Sequence, residues 1–377
     1  MVKGSQKIVA ADKGIPIIDM SQERSRVSMQ IVKACETLGF FKVVNHGFDR
    51  TIISRMEQES INFFAKSVHE KKSVESVNQP FRYGFRDIGL NGDSGEVEYL
   101  LFHTNDPAFR SKASFRSAVN CYIEAVRQLA HEILELTAEG LGVPPHTFSR
   151  LISSVDSDSI LRVNHYPPSD QFFGGATLSD KSVSLTRVGF GEHTDPQILT
   201  VLRSNGVGGL QVSNLDGMWV PVFPDPSAYC VNVGDLLQVM TNGRFISLRH
   251  RALTYGKESR LSTSFFAGPP LQAKIGPLQA MVTTANQPRL YQTFTWSEYK
   301  NLAYSQRLED SLLDMFRTDR LRLEIAKWRL TRGLAHKDPM RGGIGHRFYC
   351  PFVSGPRGLY LQWYWAKAGC GTIGWLA

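Results

Sequence analysis

The pair His193-x-Asp195, with His250 further along the chain, constrains the fold more than any other feature of the sequence. Two imidazoles and one carboxylate can hold a metal ion on one face and leave the opposite face open. Side chains alternate along a β-strand, so residues 193 and 195 point to the same side if one strand carries both. The second imidazole must then arrive from another strand. The interval of 55 residues between Asp195 and His250 is long enough to wind through several strands and return, as a double-stranded β-helix requires. Three soft or all-nitrogen ligands would point to zinc or copper, whereas this mixed set is the facial arrangement that suits Fe(II).

The neighbourhood of the triad adds a second kind of chemistry. Ten residues past His250 comes Arg260-Leu261-Ser262, in which Arg260 and Ser262 share a strand face. A guanidinium fork matches a carboxylate bidentately, and a hydroxyl can add a third bond. Upstream, Asn164-His165-Tyr166-Pro167-Pro168 places a phenol ahead of a double proline that ends any strand. Together these residues describe a pocket for a small dicarboxylate beside a metal.

Periodicity predicts a mostly β chain with flanking helices: a jelly-roll core preceded by a helical N-terminal region. Ile15 to Asp19 and Phe40 to Val44 read as strands, and Arg24 to Leu38 and Ile52 to Ala65 as helices. Gly89 to Gly95 reads as a loop and Val97 to Phe102 as a strand. The strongest helix signal is Phe115 to Leu141, whose apolar stripe (Val119, Ile123, Val126, Leu129, Ile133, Leu136) suits packing on a barrel. From Ile160 to Phe266 short β-rich runs alternate with glycine turns, Gly206 to Gly209 being read as a hairpin, and Thr295 to Phe316 returns to helix. The expected organisation is a leader over residues 1–155, a catalytic jelly roll with its C-terminal helix over 156–317, and a basic, poorly ordered tail over 318–377.

Composition narrows the function classes. No run reaches eighteen apolar residues and Met1 to Asp12 lacks a signal-peptide core, so the expectation is a soluble intracellular protein without membrane association. Five cysteines without a C-x-x-C spacing argue against a zinc knuckle or a secreted disulfide framework. The net charge of +8 invites a nucleic-acid reading, but ten basic residues and only three acids lie from Thr318 onward, leaving residues 1–317 near neutrality. No nucleic-acid partner is expected of the catalytic region.

The segments LRVNHYPP (161–168), GFGEHTDPQILTVLRSNGVGGL (189–210), VNVGDLLQVMTNGR (231–244), SRLSTSFFAGP (259–269) and FTWSEYK (294–300), with ACETLGFFKVVNHG (34–47), carry a resemblance to plant 2-oxoglutarate- and Fe(II)-dependent dioxygenases. More narrowly, the chain resembles gibberellin 2-oxidases acting on nineteen-carbon gibberellins. The resemblance runs from about residue 15 to about residue 317. It implies that His193, Asp195 and His250 hold Fe(II), that Arg260, Ser262 and Tyr166 bind 2-oxoglutarate, and that ascorbate serves as reductant. The implied reaction consumes dioxygen, releases succinate and CO2, and inactivates a gibberellin by 2β-hydroxylation in the cytoplasm, with the nucleus as an alternative. Arg86 and Tyr299 are the candidates for holding the substrate acid. Departures from the family pattern are Arg82 in place of glycine, Asp87 in place of a basic residue and Glu96 in place of tryptophan. An acid at 87 would repel the substrate carboxylate if it faced the pocket, and Arg86, facing the other way, is the one expected inside. Two other readings stay open: a related dioxygenase for another small apolar acid, and a turnover-poor metal-binding scaffold.

Overall fold

The computed structural model describes residues 14–72, 81–88, 93–105, 114–168, 187–214, 216–254, 258–282, 288–307 and 312–318. The expected loop at 89–95 falls largely outside these residues, and the expected tail does so from residue 319 onward. The chain divides into two units, Met1–Arg322 and Leu323–Ala377, and every described residue belongs to the first.

The N-terminal region alternates strands and helices: β1 (Ile17–Asp19), α1 (Arg24–Thr37), β2 (Phe40–Val44), α2 (Arg50–Phe64), α3 (Val68–Lys72), β3 (Phe81–Asp87) and β4 (Ser94–His103). Two helices follow, α4 (Ser114–Gly140) and α5 (His146–Ser153). The catalytic stretch then runs β5 (Ile160–Tyr166), β6 (Arg187–His193), β7 (Leu199–Ser204), β8 (Leu210–Ser213), β9 (Trp219–Pro221), β10 (Tyr229–Val233), α6 (Asp235–Met240), β11 (His250–Thr254) and β12 (Arg260–Ala267). It closes with β13 (Lys274–Ile275), β14 (Phe294–Thr295) and α7 (Trp296–Ser305).

Two sheets form the jelly roll. The larger has the order β1-β2-β10-β7-β12-β5-β4-β3 and the smaller β6-β11-β8-β9, with every pairing antiparallel except β1 with β2. Strands from both sides of residue 155 share the larger sheet, so the leader is built into the catalytic wall. The expected hairpin at Gly206 to Gly209 is instead a crossover, because β7 and β8 belong to different sheets.

The long helix α4 shows why one face of the large sheet is dry. Its stripe from Val119 through Ile123, Val126, Ile133 and Leu136 is buried at helical spacing, and each such side chain contributes about 1.5–3 kcal/mol when removed from water. The core lies between this helical layer and the sheet, and the opposite sheet face is left to line a cavity. The last helix is shorter than its sequence suggested. A capping box of Thr295 and Glu298 starts α7, but it ends at Ser305, and Leu313–Phe316 forms a separate 3-10 turn. Among the described residues no helix is long and apolar enough to cross a membrane.

Candidate metal centre and cosubstrate pocket

The smaller sheet brings the two histidines together by register. His250 at the start of β11 pairs directly with His193 at the end of β6, and their rings lie 4.2 Å apart. Asp195 is not on that strand. β6 stops at His193, and Asp195 sits in the following loop ahead of Pro196, which has no N–H for a ladder. The loop is anchored from behind, where Asp235 N–H donates to the Asp195 carbonyl at 2.8 Å. Gly234 leaves room for this fold, since a Cβ there would lie 2.0 Å from the Gln197 carbonyl oxygen.

Asp195 Oδ1 lies 3.6 Å from His193 Nε2 and 3.7 Å from His250 Nε2. The other ring nitrogens are tied down: His193 Nδ1 lies 2.8 Å from the Gly191 carbonyl and His250 Nδ1 3.2 Å from that of Leu248. Bonding to a carbonyl makes each Nδ1 the donor and leaves Nε2 with its lone pair facing the centre. Asp195 is oriented in the same manner. Its Oδ2 accepts from Thr200 Oγ1 at 2.5 Å and from Asn232 Nδ2 at 2.6 Å, which leaves Oδ1 for a metal.

Electrostatics prepare the same state. Burial, reinforced by His193 and opposed by Asp195, pushes His250 down to about 4, so it is neutral and able to ligate near pH 7. Burial would raise the Asp195 carboxyl, but His250, His193 and the Thr200 hydroxyl outweigh it and hold the group well below the usual carboxylate range. The donor set fits Fe(II): two neutral imidazoles and one carboxylate converge, and their ligand atoms all lie within 4.8 Å of one another.

The three groups open onto a cavity of about 260 Å³ whose lining includes Tyr166, Arg260 and Ser262. Arg260 pairs with Tyr166 and Ser262 with Asn164 across β12 and β5, so alternation sends all four to one face. The Arg260 guanidinium lies 5.1 Å from the centre of the Tyr166 ring. Both Arg260 Nε and Ser262 Oγ are buried with no hydrogen-bond partner among the described residues. Buried donors are rarely left so, and an anion that accepts from both would satisfy them. A 2-oxo diacid therefore fits the pocket: one end can chelate beside the triad and the far carboxylate can meet Arg260 and Ser262.

Arg86 and Tyr299 do not reach this cavity. On β3 the alternation sends Arg82 and Gly84 inward, but the ladder with β4 slips between Phe85 and Asp87, and Arg86 takes the left-handed conformation at φ 64°. Arg86 and Asp87 are both exposed as a result, and Ile88 is the next residue at the cavity wall. The Tyr299 ring stacks on Phe294 and Trp296 in the core, and its hydroxyl donates to Asp235 Oδ2 at 2.7 Å. The cavity-facing residues of α7 lie one turn later, at Ala303 and Tyr304. Glu96, another departure, pairs with Arg187 at 2.7 Å and also lies outside the cavity. Thr200 and Asn232 lie in segments that carried the resemblance but were given no role there, and Tyr304 lies in none of those segments; the fold brings all three to the site.

The site thus has the donors and the acid-binding groups of an oxygenase that consumes a 2-oxo acid, and comparison with known proteins agrees. Residues 157–269 match the 2OG-Fe(II) oxygenase superfamily, and residues 15–115 match the N-terminal region described as "non-haem dioxygenase in morphine synthesis". The chain is 87% identical over 318 residues to gibberellin 2-beta-dioxygenase 4 of Arabidopsis thaliana, covering 84% of this chain and 99% of that protein. It is 46% identical to gibberellin 2-beta-dioxygenase 1 of Pisum sativum, with 81% of this chain and 91% of the relative covered. Among solved structures it is similar to JOX2 in complex with 2OG, Fe and JA, with TM-score 0.69, 27% identity, and 81% and 89% of the two chains covered. The chain belongs to the 2OG-Fe(II) oxygenase superfamily and, within it, to the gibberellin 2-beta-dioxygenase family.

Proposed function

We propose that the protein hydroxylates nineteen-carbon gibberellins at the 2β position and so inactivates them, with 2-oxoglutarate as cosubstrate and ascorbate as reductant. The observation that carries the reading is one cavity holding both the convergent His193-Asp195-His250 set and the unpartnered donors of Arg260 and Ser262, in a chain of this family. When bound, Fe(II) supplies the oxidising chemistry by which dioxygen converts 2-oxoglutarate to succinate and CO2 and adds one oxygen atom to a substrate carbon.

The chain's own residues bind, orient and exclude water. Thr200 and Asn232 hold the Asp195 carboxylate in one rotamer, and the Gly191 and Leu248 carbonyls fix the two imidazoles. Arg260 and Ser262 set the depth of the cosubstrate. Phe190, whose ring is 4.5 Å from that of His193, makes an apolar wall with Ile88 and Leu101 against which a rigid hydrocarbon can rest. Such a wall would hold the hydrocarbon with one face toward the metal side.

The exposed position of Asp87 and the pairing of Glu96 with Arg187 support this reading over the impaired scaffold, because neither acid is among the residues that line the cavity. Incubating the protein with Fe(II), 2-oxoglutarate, ascorbate and a nineteen-carbon gibberellin, and assaying succinate and the hydroxylated product, tests the proposal. Succinate release that does not depend on gibberellin, with no 2β-hydroxylated product, would overturn it. Release stimulated by another apolar acid would favour the related-dioxygenase reading.

A further inference from the structure

The cavity face of the large sheet reads in cross-strand rows. Tyr166 lies opposite Arg260 in one row, and Tyr99, Asn164 and Ser262 form the next. The row after that runs Arg82, Leu101, Arg162 and Ser264 across β3, β4, β5 and β12. Successive rows are about 6–7 Å apart, because alternate residues of a strand share a face. The first two rows carry the groups fitted to the cosubstrate. The third holds two guanidiniums either side of Leu101, two rows from Arg260, and no carboxylate.

Arg162 is an unusual residue to place there. Its guanidinium lies 3.8 Å from the centre of the Tyr99 ring and 5.0 Å from that of Phe190. Ring faces attract a cation but accept few of its hydrogen bonds. Arg162 Nε donates to Asn164 Oδ1 at 2.8 Å, whereas Nη2 is buried with no partner among the described residues. Burial disfavours its charge, opposed in part by Tyr99, Tyr166 and Tyr304 and reinforced slightly by Arg82. An anion entering the cavity would supply the missing acceptor and offset both effects. The contact through Phe190 to His193 places such an anion near the metal side.

We propose that Arg162, with Arg82 beyond it on the same row, holds the carboxylate of the substrate and makes the enzyme select the free acid over its ester. The inference rests on the proposed function, which supplies a rigid apolar acid as substrate. It replaces Arg86 and Tyr299 in that role and gives Arg82, a departure from the family pattern, a place as the outer cation.

Calorimetric binding of a nineteen-carbon gibberellin and of its methyl ester to the full chain, loaded anaerobically with Fe(II) and 2-oxoglutarate, tests it. Wild type should bind the acid at least about tenfold more tightly than the ester, the scale expected when one partner of a buried charge pair is removed. Arg162→Gln should bring the two affinities together by weakening the acid alone, and Arg162→Lys, which keeps the charge but not the fork, should retain part of the preference. A structural role would weaken acid and ester alike. Arg82→Gln, on an exposed residue, should reduce the preference partially, and it stands as the variant arm if Arg162→Gln does not fold. The proposal is overturned if wild type binds ester and acid equally, or if Arg162→Gln keeps the acid preference. Turnover of the acid is measured on the same wild-type preparation. Conversion without acid preference overturns the anchor alone, whereas neither binding nor conversion of gibberellin overturns the function as well.

Discussion

At the scale of single residues the site is a set of pointed lone pairs and unspent donors. His193→Ala or His250→Ala should reduce succinate formation to background, since two remaining ligands cannot fix Fe(II) in an open geometry; wild-type turnover in either variant would exclude that residue as a ligand. Asn232→Ala removes one of the two bonds that orient Asp195 and should weaken Fe(II) affinity by roughly 10–100-fold, read by metal titration of the apo protein. Arg260→Lys should raise the Michaelis constant for 2-oxoglutarate, because a point charge replaces a fork, and unchanged kinetics would remove Arg260 from the cosubstrate pocket. The candidate triad and the R-x-S pair were legible as spacings that chemistry interprets, although Asp195 lies just past the end of β6 rather than on the strand with His193. Asn232 was not, because it reaches Asp195 from a strand 37 residues away. Arg86 misled for a different reason: where the ladder with β4 slips, its backbone turns to φ 64° and it drops out of the inward-facing set of Arg82, Gly84 and Ile88, and nothing in FRYGFRD announces that slip.

At the scale of elements, the position of Asp195 depends on the turn into α6. Gly234→Ala would drive a methyl group into the Gln197 carbonyl, so the ligand loop must move. The expected result is lost metal binding with a destabilisation of about 1–3 kcal/mol, checked by titration and thermal melting. A second element-scale device ties α3, β3 and β5 to β4 through buried Glu98, which accepts from Lys71 at 2.7 Å and Tyr83 at 2.7 Å and lies 2.8 Å from His165 Nδ1. Burial raises the Glu98 carboxyl, but His165, Lys71 and Tyr83 outweigh it and hold it below the usual 4.5. A depressed folded-state value means that the unfolded chain binds the proton more readily. The contribution to stability is therefore complete above about pH 4.5 and is lost as pH falls through the lower folded value. Glu98→Gln should flatten that acid limb, and at neutral pH it should cost about 3–5 kcal/mol because Lys71 stays buried without its counterion. An unchanged melting profile between neutral and acid pH would show that the network adds nothing. β1, β2, most of β4 and the helices α1, α2 and α4 were legible from periodicity, and the β-rich character of residues 160–266 was legible without its individual strands. The end of α7 was not, since no glycine or proline marks Ser305 and the helix is closed by Gln306, which turns to extended backbone and donates its N–H to the Leu302 carbonyl.

At the scale of the whole molecule, charge and chemistry are separated along the sequence. The cavity and both sheets lie within residues 14–318, a stretch near neutrality, while the net positive charge comes from the residues that follow. The end of the described chain is held in place: Thr318 N–H donates to the Leu290 carbonyl at 2.9 Å and its hydroxyl to that of Arg289 at 2.6 Å, while Arg317 bridges Tyr291. A chain ended after Thr318 should therefore keep substrate-dependent succinate formation within about twofold and lose only a small part of its melting temperature, because its backbone contacts survive. Its retention on heparin should fall sharply with the loss of a net charge of +7, as expected for association governed by screened electrostatics. If the shortened chain instead lost succinate formation while remaining folded, the residues after 318 would have to contribute to the reaction, and the assignment of the chemistry to the jelly roll alone would fail.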